Sequence, residues 1–169
     1  QEHFSDGRLA AAIEAQVQAV KSAPLDGGQR TFLFELLAFA GELDRADKQL
    51  AAIGAEASEK GWAASVYQNL LAAEGMRRKV FAGGKRPEVF LTAPEFMTKR
   101  LDAIGYLAAG QATAAIAALA AADEAAPLVR GTLNDKPIEG LRDADDLLAP
   151  ILEVMVLRDY IWVPWSQVK

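Results

Sequence analysis

The sequence predicts a mainly α fold. Antiparallel helical repeats occupy residues 1–127, and a small C-terminal α+β segment over residues 128–169 carries short strands and ends in a hairpin docked on the helices. Three observations predict it. A glycine and an alanine recur at one fixed spacing in three places. Between them, apolar residues recur at three- and four-residue intervals, the period of one helix face. After Pro127 that period stops, and glycine, asparagine and proline punctuate short runs of β-branched and aromatic residues.

The repeats organise the first part. Gly7 leads to Ala12, Ala19 and Pro24; Gly41 leads to Ala46, Leu50, Ile53 and Ser58; Gly110 leads to Ala115, Leu119, Ala122 and Pro127. The alanine follows each glycine by five residues, and Gly7 and Gly41 stand 34 residues apart. Gly41 and Gly110 stand 69 apart, two such periods plus one. This is the spacing of the second helix of a tetratricopeptide repeat, met three times. Glycine turns the chain between two helices, a small alanine lets their axes approach, and proline ends the unit because it cannot continue a helix.

Each helix has its own signal. Residues 27–40 supply a first helix for the second unit, and Leu33, Phe34, Leu36, Leu37 and Phe39 make it apolar nearly all round, hence central. Trp62, Val66, Leu70 and Ala73 share one stripe, which predicts a long helix over residues 61–81 with Trp62 in packing contacts. A loop with Gly83-Gly84-Lys85-Arg86-Pro87 follows. Ala93-Pro94-Glu95 opens the next helix, with proline in the first turn and an acid behind it, and Leu101, Ile104 and Leu107 carry it to Gly110. Residues 128–138 read as a small β segment turning at Asn134-Asp135, and residues 143–148 as about one helical turn. Apolar runs ending at Val156 and starting at Tyr160 flank a polar break at Arg158-Asp159, which makes the terminal hairpin. That break lacks Asn-Gly, so its residues do not set the turn type.

Composition narrows the function classes. With 169 residues and 51% hydrophobic content the chain can bury a sizeable core. A net charge of −5 speaks against a nucleic-acid surface. Without cysteine there is no disulfide or thiolate chemistry. No run approaches the roughly 20 apolar residues that span a bilayer. Gln1-Glu2-His3-Phe4 shows no basic and apolar leader pattern, so we read a cytoplasmic protein.

Few residues invite chemistry. His3 is the sole histidine and stands near one end, which disfavours a histidine-based triad or a zinc site. Gly83-Gly84-Lys85 lacks the Gly-x-x-x-x-Gly-Lys-Ser/Thr pattern of a phosphate loop. Asp143, Asp145 and Asp146 could hold a hard cation, but the remaining ligands of a calcium loop are missing. Capping of backbone N–H groups accounts for them better. Glu74 and Arg77, three apart on the long helix, read as an intrahelical pair. Trp162 and Trp165 read as hairpin packing, Trp165 partly exposed. The stripe Leu9, Ile13, Val17 and Val20 lies on the first helical unit, which has a neighbour on one side only, and is the candidate edge of a partner-binding groove.

Asp143-x-Asp145, Pro150-x-Leu152-Glu153-Val154 and Tyr160-x-Trp162-Val163-Pro164, in that order, resemble the signature of the ImpE family, also called TagJ. Tyr67-x-x-Leu70, Ala73-Glu74, Arg77, Val80-Phe81-x-Gly83 and Pro87 fit as well. The pattern would have a tryptophan near Gly140, a glycine in place of Ala149, and Asn-Gly in place of Leu157-Arg158. The resemblance spans most of this chain but only the front of a typical member. It implies an accessory protein of bacterial type VI secretion: a non-enzymatic adaptor without cofactor or metal. The implied partners are a helix of the small contractile-sheath subunit and the hexameric AAA+ ATPase that disassembles contracted sheath, with no nucleic acid or membrane involved. It implies a structural role for Glu74, Arg77, Asp143, Asp145, Pro150, Glu153, Tyr160, Trp162 and Pro164, with Glu74 and Arg77 bracing the C-terminal segment instead of pairing with each other. The competing reading is a small metal-dependent enzyme built on Asp143, Asp145 and Asp146.

Overall fold

The computed structural model describes residues 2–54 and 59–168; Ser58, the last residue of the second sequence repeat, and the chain ends Gln1 and Lys169 lie outside them. Among the described residues the elements are α1 (Glu2–Ser5), α2 (Leu9–Ser22), α3 (Gly27–Phe39), α4 (Leu43–Ile53), α5 (Glu59–Phe81), α6 (Glu95–Ala108) and α7 (Ala112–Ala125), then β1 (Arg130–Leu133), β2 (Lys136–Glu139), β3 (Ile151–Val156) and β4 (Asp159–Pro164). A 3-10 turn at Trp165–Gln167 follows. The mainly α fold with terminal hairpins is the one the sequence predicts. The chain forms two compact units, Gln1–Ala72 and Ala73–Lys169. The change from helix to strand falls inside the second.

Gly7, Gly41 and Gly110 each sit between two helices, with φ of 73°, 76° and 73°. The residue after each glycine donates its N–H to a carbonyl five positions back: Arg8 to His3 (2.9 Å), Glu42 to Leu37 (2.9 Å) and Gln111 to Tyr106 (2.8 Å). This is the Schellman cap, which needs a left-handed residue and therefore selects glycine. A fourth copy ends α5, where Gly83 has φ 74° and Gly84 donates to Lys79 (3.0 Å). Gly83-Gly84-Lys85 is therefore a helix cap. The alanines five residues past the repeat glycines, Ala12, Ala46 and Ala115, are all buried, where only a small side chain lets neighbouring helices close up.

In the first unit α2 packs on α3 and α3 on α4. Their core holds Ile13, Val20, Leu33, Phe34, Leu36, Leu37 and Leu50, closed by Ala64 from α5. Asp26 caps α3 by accepting the N–H groups of Gly28 (2.8 Å) and Gln29 (3.2 Å). Buried Gln16 of α2 is satisfied by the carbonyl and side chain of Gln29. Trp62 departs from expectation: it is 72% exposed, with Val66, Tyr67 and Leu70 also turned outward. The buried line of α5 in this unit instead runs through Gly61 and Ala64, the small residues that permit close packing. The bulkier stripe falls on the other side of the helix.

In the second unit α6 packs on α7, and their core takes in Val80 and the faces of the terminal strands. β1 and β2 pair antiparallel around Asn134-Asp135, both at positive φ (51° and 63°), the signature of a type I′ turn. β3 pairs antiparallel with β4, Ile151 opposite Pro164 and Val156 opposite Asp159. Leu157 alone of the two turn residues has positive φ (53°), as in a II′ turn. Glu88 extends this sheet by one residue, donating to Tyr160 O and accepting from Trp162 N, both at 3.0 Å.

Candidate functional site

Four residues singled out in the sequence meet on one side of the second unit. The hairpin register sets Glu153 directly opposite Trp162, with Tyr160 two residues along on the same face. Tyr160 and Trp162 are 0% exposed, and Pro164 is fully buried. The Trp162 Nε1–H donates to Tyr160 Oη at 2.7 Å, and the Tyr160 hydroxyl donates to Glu153 Oε1. Arg77, reaching across from α5, donates from Nε to the same Glu153 oxygen at 2.8 Å. Its guanidinium also lies 4.8 Å from the centre of the Phe81 ring.

Electrostatics fixes the protons of this chain of bonds. The hydrogen bond to Glu153 holds the Arg77 guanidinium above its ordinary pKa. Burial, then the bond to Glu153, pushes the Tyr160 phenol well above the usual tyrosine range, so it stays a neutral donor. Neither Tyr160 nor Trp162 reaches a surface on which a substrate could sit. The arrangement is a brace between the end of α5 and the hairpin rather than an acid–base pair. Glu74 stands apart from it and pairs with Arg78 at 2.9 Å along the helix.

The acidic stretch before β3 is likewise occupied. Asp143 Oδ1 accepts the Asp145 N–H and Asp145 Oδ1 accepts the Leu147 N–H, each at 2.8 Å. Asp146 Oδ1 takes the Arg142 guanidinium. The Leu148 and Ala149 N–H groups both return to Asp145 O, closing one turn that does not continue as a helix. Pro150 O accepts the Trp165 N–H at 2.8 Å, which ties the turn to the end of β4. Ala149 is buried at φ 33°. Among the described residues no group of three or more His, Cys, Asp or Glu is placed to hold a metal ion.

On the first unit, Ile13 (7% exposed) and Val20 belong to the core, while Leu9 and Val17 are half-buried against it. Ile13 and Val17 also line a cleft of about 600 Å³ together with His3, Glu14, Gln18 and Arg45. Two features escaped the sequence reading. The outward stripe Trp62, Val66 and Leu70 was legible as a stripe but not as an exposed one. Arg100 is fully buried between Met97 and Ala103 on α6, and a charge at the helical spacing of core residues was its available signal.

Residues 135–169, which contain the stretch from Asp143 to Pro164, match the model of the family described as ImpE protein. Over 163 residues the chain is 36% identical to the type VI secretion system accessory component TagJ of Pseudomonas aeruginosa, a match covering 96% of this chain and 58% of that protein. Its fold is similar to an X-ray crystal structure of a Vibrio parahaemolyticus protein, with a TM-score of 0.82 and 27% identity, over 96% of this chain and 62% of that one. The chain thus spans less than two thirds of each of these relatives. No helix among the described residues is long and apolar enough to cross a membrane. The resemblance to the ImpE family, also called TagJ, is borne out by the family's model over residues 135–169 and by a relative over nearly the whole chain.

Proposed function

We propose that the chain is a non-enzymatic, cytoplasmic adaptor of type VI secretion whose first unit receives an amphipathic helix of the small contractile-sheath subunit. The similarity to a type VI secretion accessory component over 96% of the chain carries this reading. The cleft beside α2 supports it: Ile13 and Val17 form an apolar floor, with Glu14, Gln18 and Arg45 as a polar rim. An apolar floor and charged rim suit a helix that presents anchors at three- and four-residue spacing. The acidic balance of the chain favours a partner with basic flanks. The sheath-disassembling ATPase is the second partner in this reading. Against an enzyme stands the use of Asp143, Asp145 and Asp146 as caps and ion-pair partners.

Val17→Asp is the informative substitution, because Val17 is half-buried whereas Ile13 is part of the core. Titrated with a peptide of the sheath helix, a variant with unchanged circular dichroism is expected to bind about tenfold or more weakly, the cost of a charge in an apolar contact. Parental affinity would remove this cleft as the site. Thermal stabilisation by Mg²⁺ or Ca²⁺, with none from the sheath peptide, would favour the metal-enzyme alternative.

A further inference from the structure

The Arg100 side chain is 1% exposed, yet it has one charged partner: Nη2 donates to Asp123 Oδ1, while Nη1 donates to the Asp146 carbonyl. Its Nε–H is buried and has no acceptor among the described residues. Buried polar groups are almost always hydrogen-bonded, and an unmet N–H on a charged group is the costliest kind to leave. Asp123 takes Nη2 and the Asp146 carbonyl takes Nη1, which leaves the Nε–H as the guanidinium nitrogen without a partner. Arg100 and Asp123 together line a cleft of about 310 Å³ between the end of α7 and residues 140–150. Leu128, Leu141 and Pro150 also line it, as does Arg142, whose guanidinium is held by Asp146. Leu128 and Leu141 are exposed, with room to move.

We propose that this cleft binds a carboxylate carrying an apolar neighbour, the free C-terminal residue of a polypeptide. A carboxylate oxygen is the anionic acceptor that a guanidinium N–H binds most strongly, and the Arg100 Nε–H is the donor left to meet it. The leucine wall takes the last side chain. The cleft lies at the lower end of the range of ligand pockets, which suits one or two residues better than a nucleotide or a cofactor.

The test follows the Arg100 Nε–H by ¹⁵N-edited NMR while N-acetyl-L-leucine is added to the whole chain. A saturable shift of that signal is expected, with a dissociation constant on the order of millimolar for so small a probe. N-acetyl-L-leucinamide, which lacks the carboxylate, should bind at least about tenfold more weakly. N-acetyl-L-glutamic acid α-amide, whose single carboxylate is on a side chain without an apolar neighbour, should also bind about tenfold more weakly. Leu128→Asp, at an exposed position that leaves the fold intact, should abolish the shift. The proposal is overturned if the Nε–H does not move by about 50 mM probe, if the amide binds as well as the acid, or if Leu128→Asp binds like the parent. Equal binding of the glutamate probe would overturn the assignment to a chain end.

Discussion

Tyr160→Phe removes one oxygen and ends two hydrogen bonds. The Trp162 Nε1–H loses its acceptor at 2.7 Å, in a place where Trp162 is 0% exposed and water cannot substitute. An orphaned buried N–H of this kind costs about 1–3 kcal/mol. Glu153 loses the phenol donor, but it is partly exposed and keeps Arg77 at 2.8 Å, so this loss is about 1 kcal/mol, that of an ordinary hydrogen bond. Together the variant should be destabilised by about 2–4 kcal/mol, or about 5–15 °C in Tm for a chain of this size. Urea unfolding followed by far-UV and near-UV circular dichroism measures it, with an unchanged m-value as the check that the comparison is fair. A double-mutant cycle sharpens the point. Trp162→Phe removes the donor, so combining it with Tyr160→Phe no longer orphans that N–H, and the double variant should lose at least about 1 kcal/mol less than the sum of the singles. A Tyr160→Phe loss under about 0.5 kcal/mol, or additive singles, would refute the brace.

The same network makes a pH prediction. Folding raises the Tyr160 pKa above that of an exposed phenol, so the native state keeps a proton that the unfolded chain releases near pH 10. Its stabilising contribution is complete below about pH 10 and is lost as pH rises through the raised native value. Stability measured at stepwise alkaline pH should therefore fall more steeply in the parent than in Tyr160→Phe, and parallel curves would contradict this. Ala149→Gly and Leu157→Gly each release a left-handed residue and should stabilise by about 0.5–1 kcal/mol, the strain less the added chain entropy of glycine; a lowered urea midpoint in either would count against the reading. Gly83→Ala should cost about 2–3 kcal/mol, because φ 74° disfavours a Cβ and that Cβ would stand 2.9 Å from the Ala108 Cβ. A neutral thermal shift for that variant would show that the α5 cap adapts.

How far the sequence could be read follows from the range of the interactions involved. Schellman caps are local, so the glycine spacing announced three of the four, and the cap at Gly83 was read only as a loop because no alanine follows it at the five-residue spacing. Helix periodicity is local too, but it reports a stripe and not which stripe meets a neighbour. α5 therefore came out with the right extent and its bulky stripe on the wrong side, since the close-packed line runs through Gly61 and Ala64. The bond from Arg77 to Glu153 joins residues 76 apart in the chain. Nothing in the spacing of either residue specifies such a contact, and only the family resemblance pointed to a brace.

The two departures from the family pattern near β3 have a shared physical meaning. Where the pattern has a glycine, this chain places Ala149 at φ 33°, and where it has Asn-Gly, Leu157 at φ 53°. One stands two residues before Ile151 and the other directly after Val156, so both ends of β3 enter through strained backbone. The register nevertheless keeps Glu153 opposite Trp162. A one-residue slip would turn Glu153 away from Arg77 and bring apolar neighbours of Trp162 out of the core. Burial of Tyr160, Trp162 and Ile151, together with the bonds that converge on Glu153, outweighs about 1–3 kcal/mol of strain at each end. The hairpin is thus held in place by what it docks against rather than by its turns. That is why glycine at residues 149 and 157 should alter stability and leave the pairing of β3 with β4 unchanged.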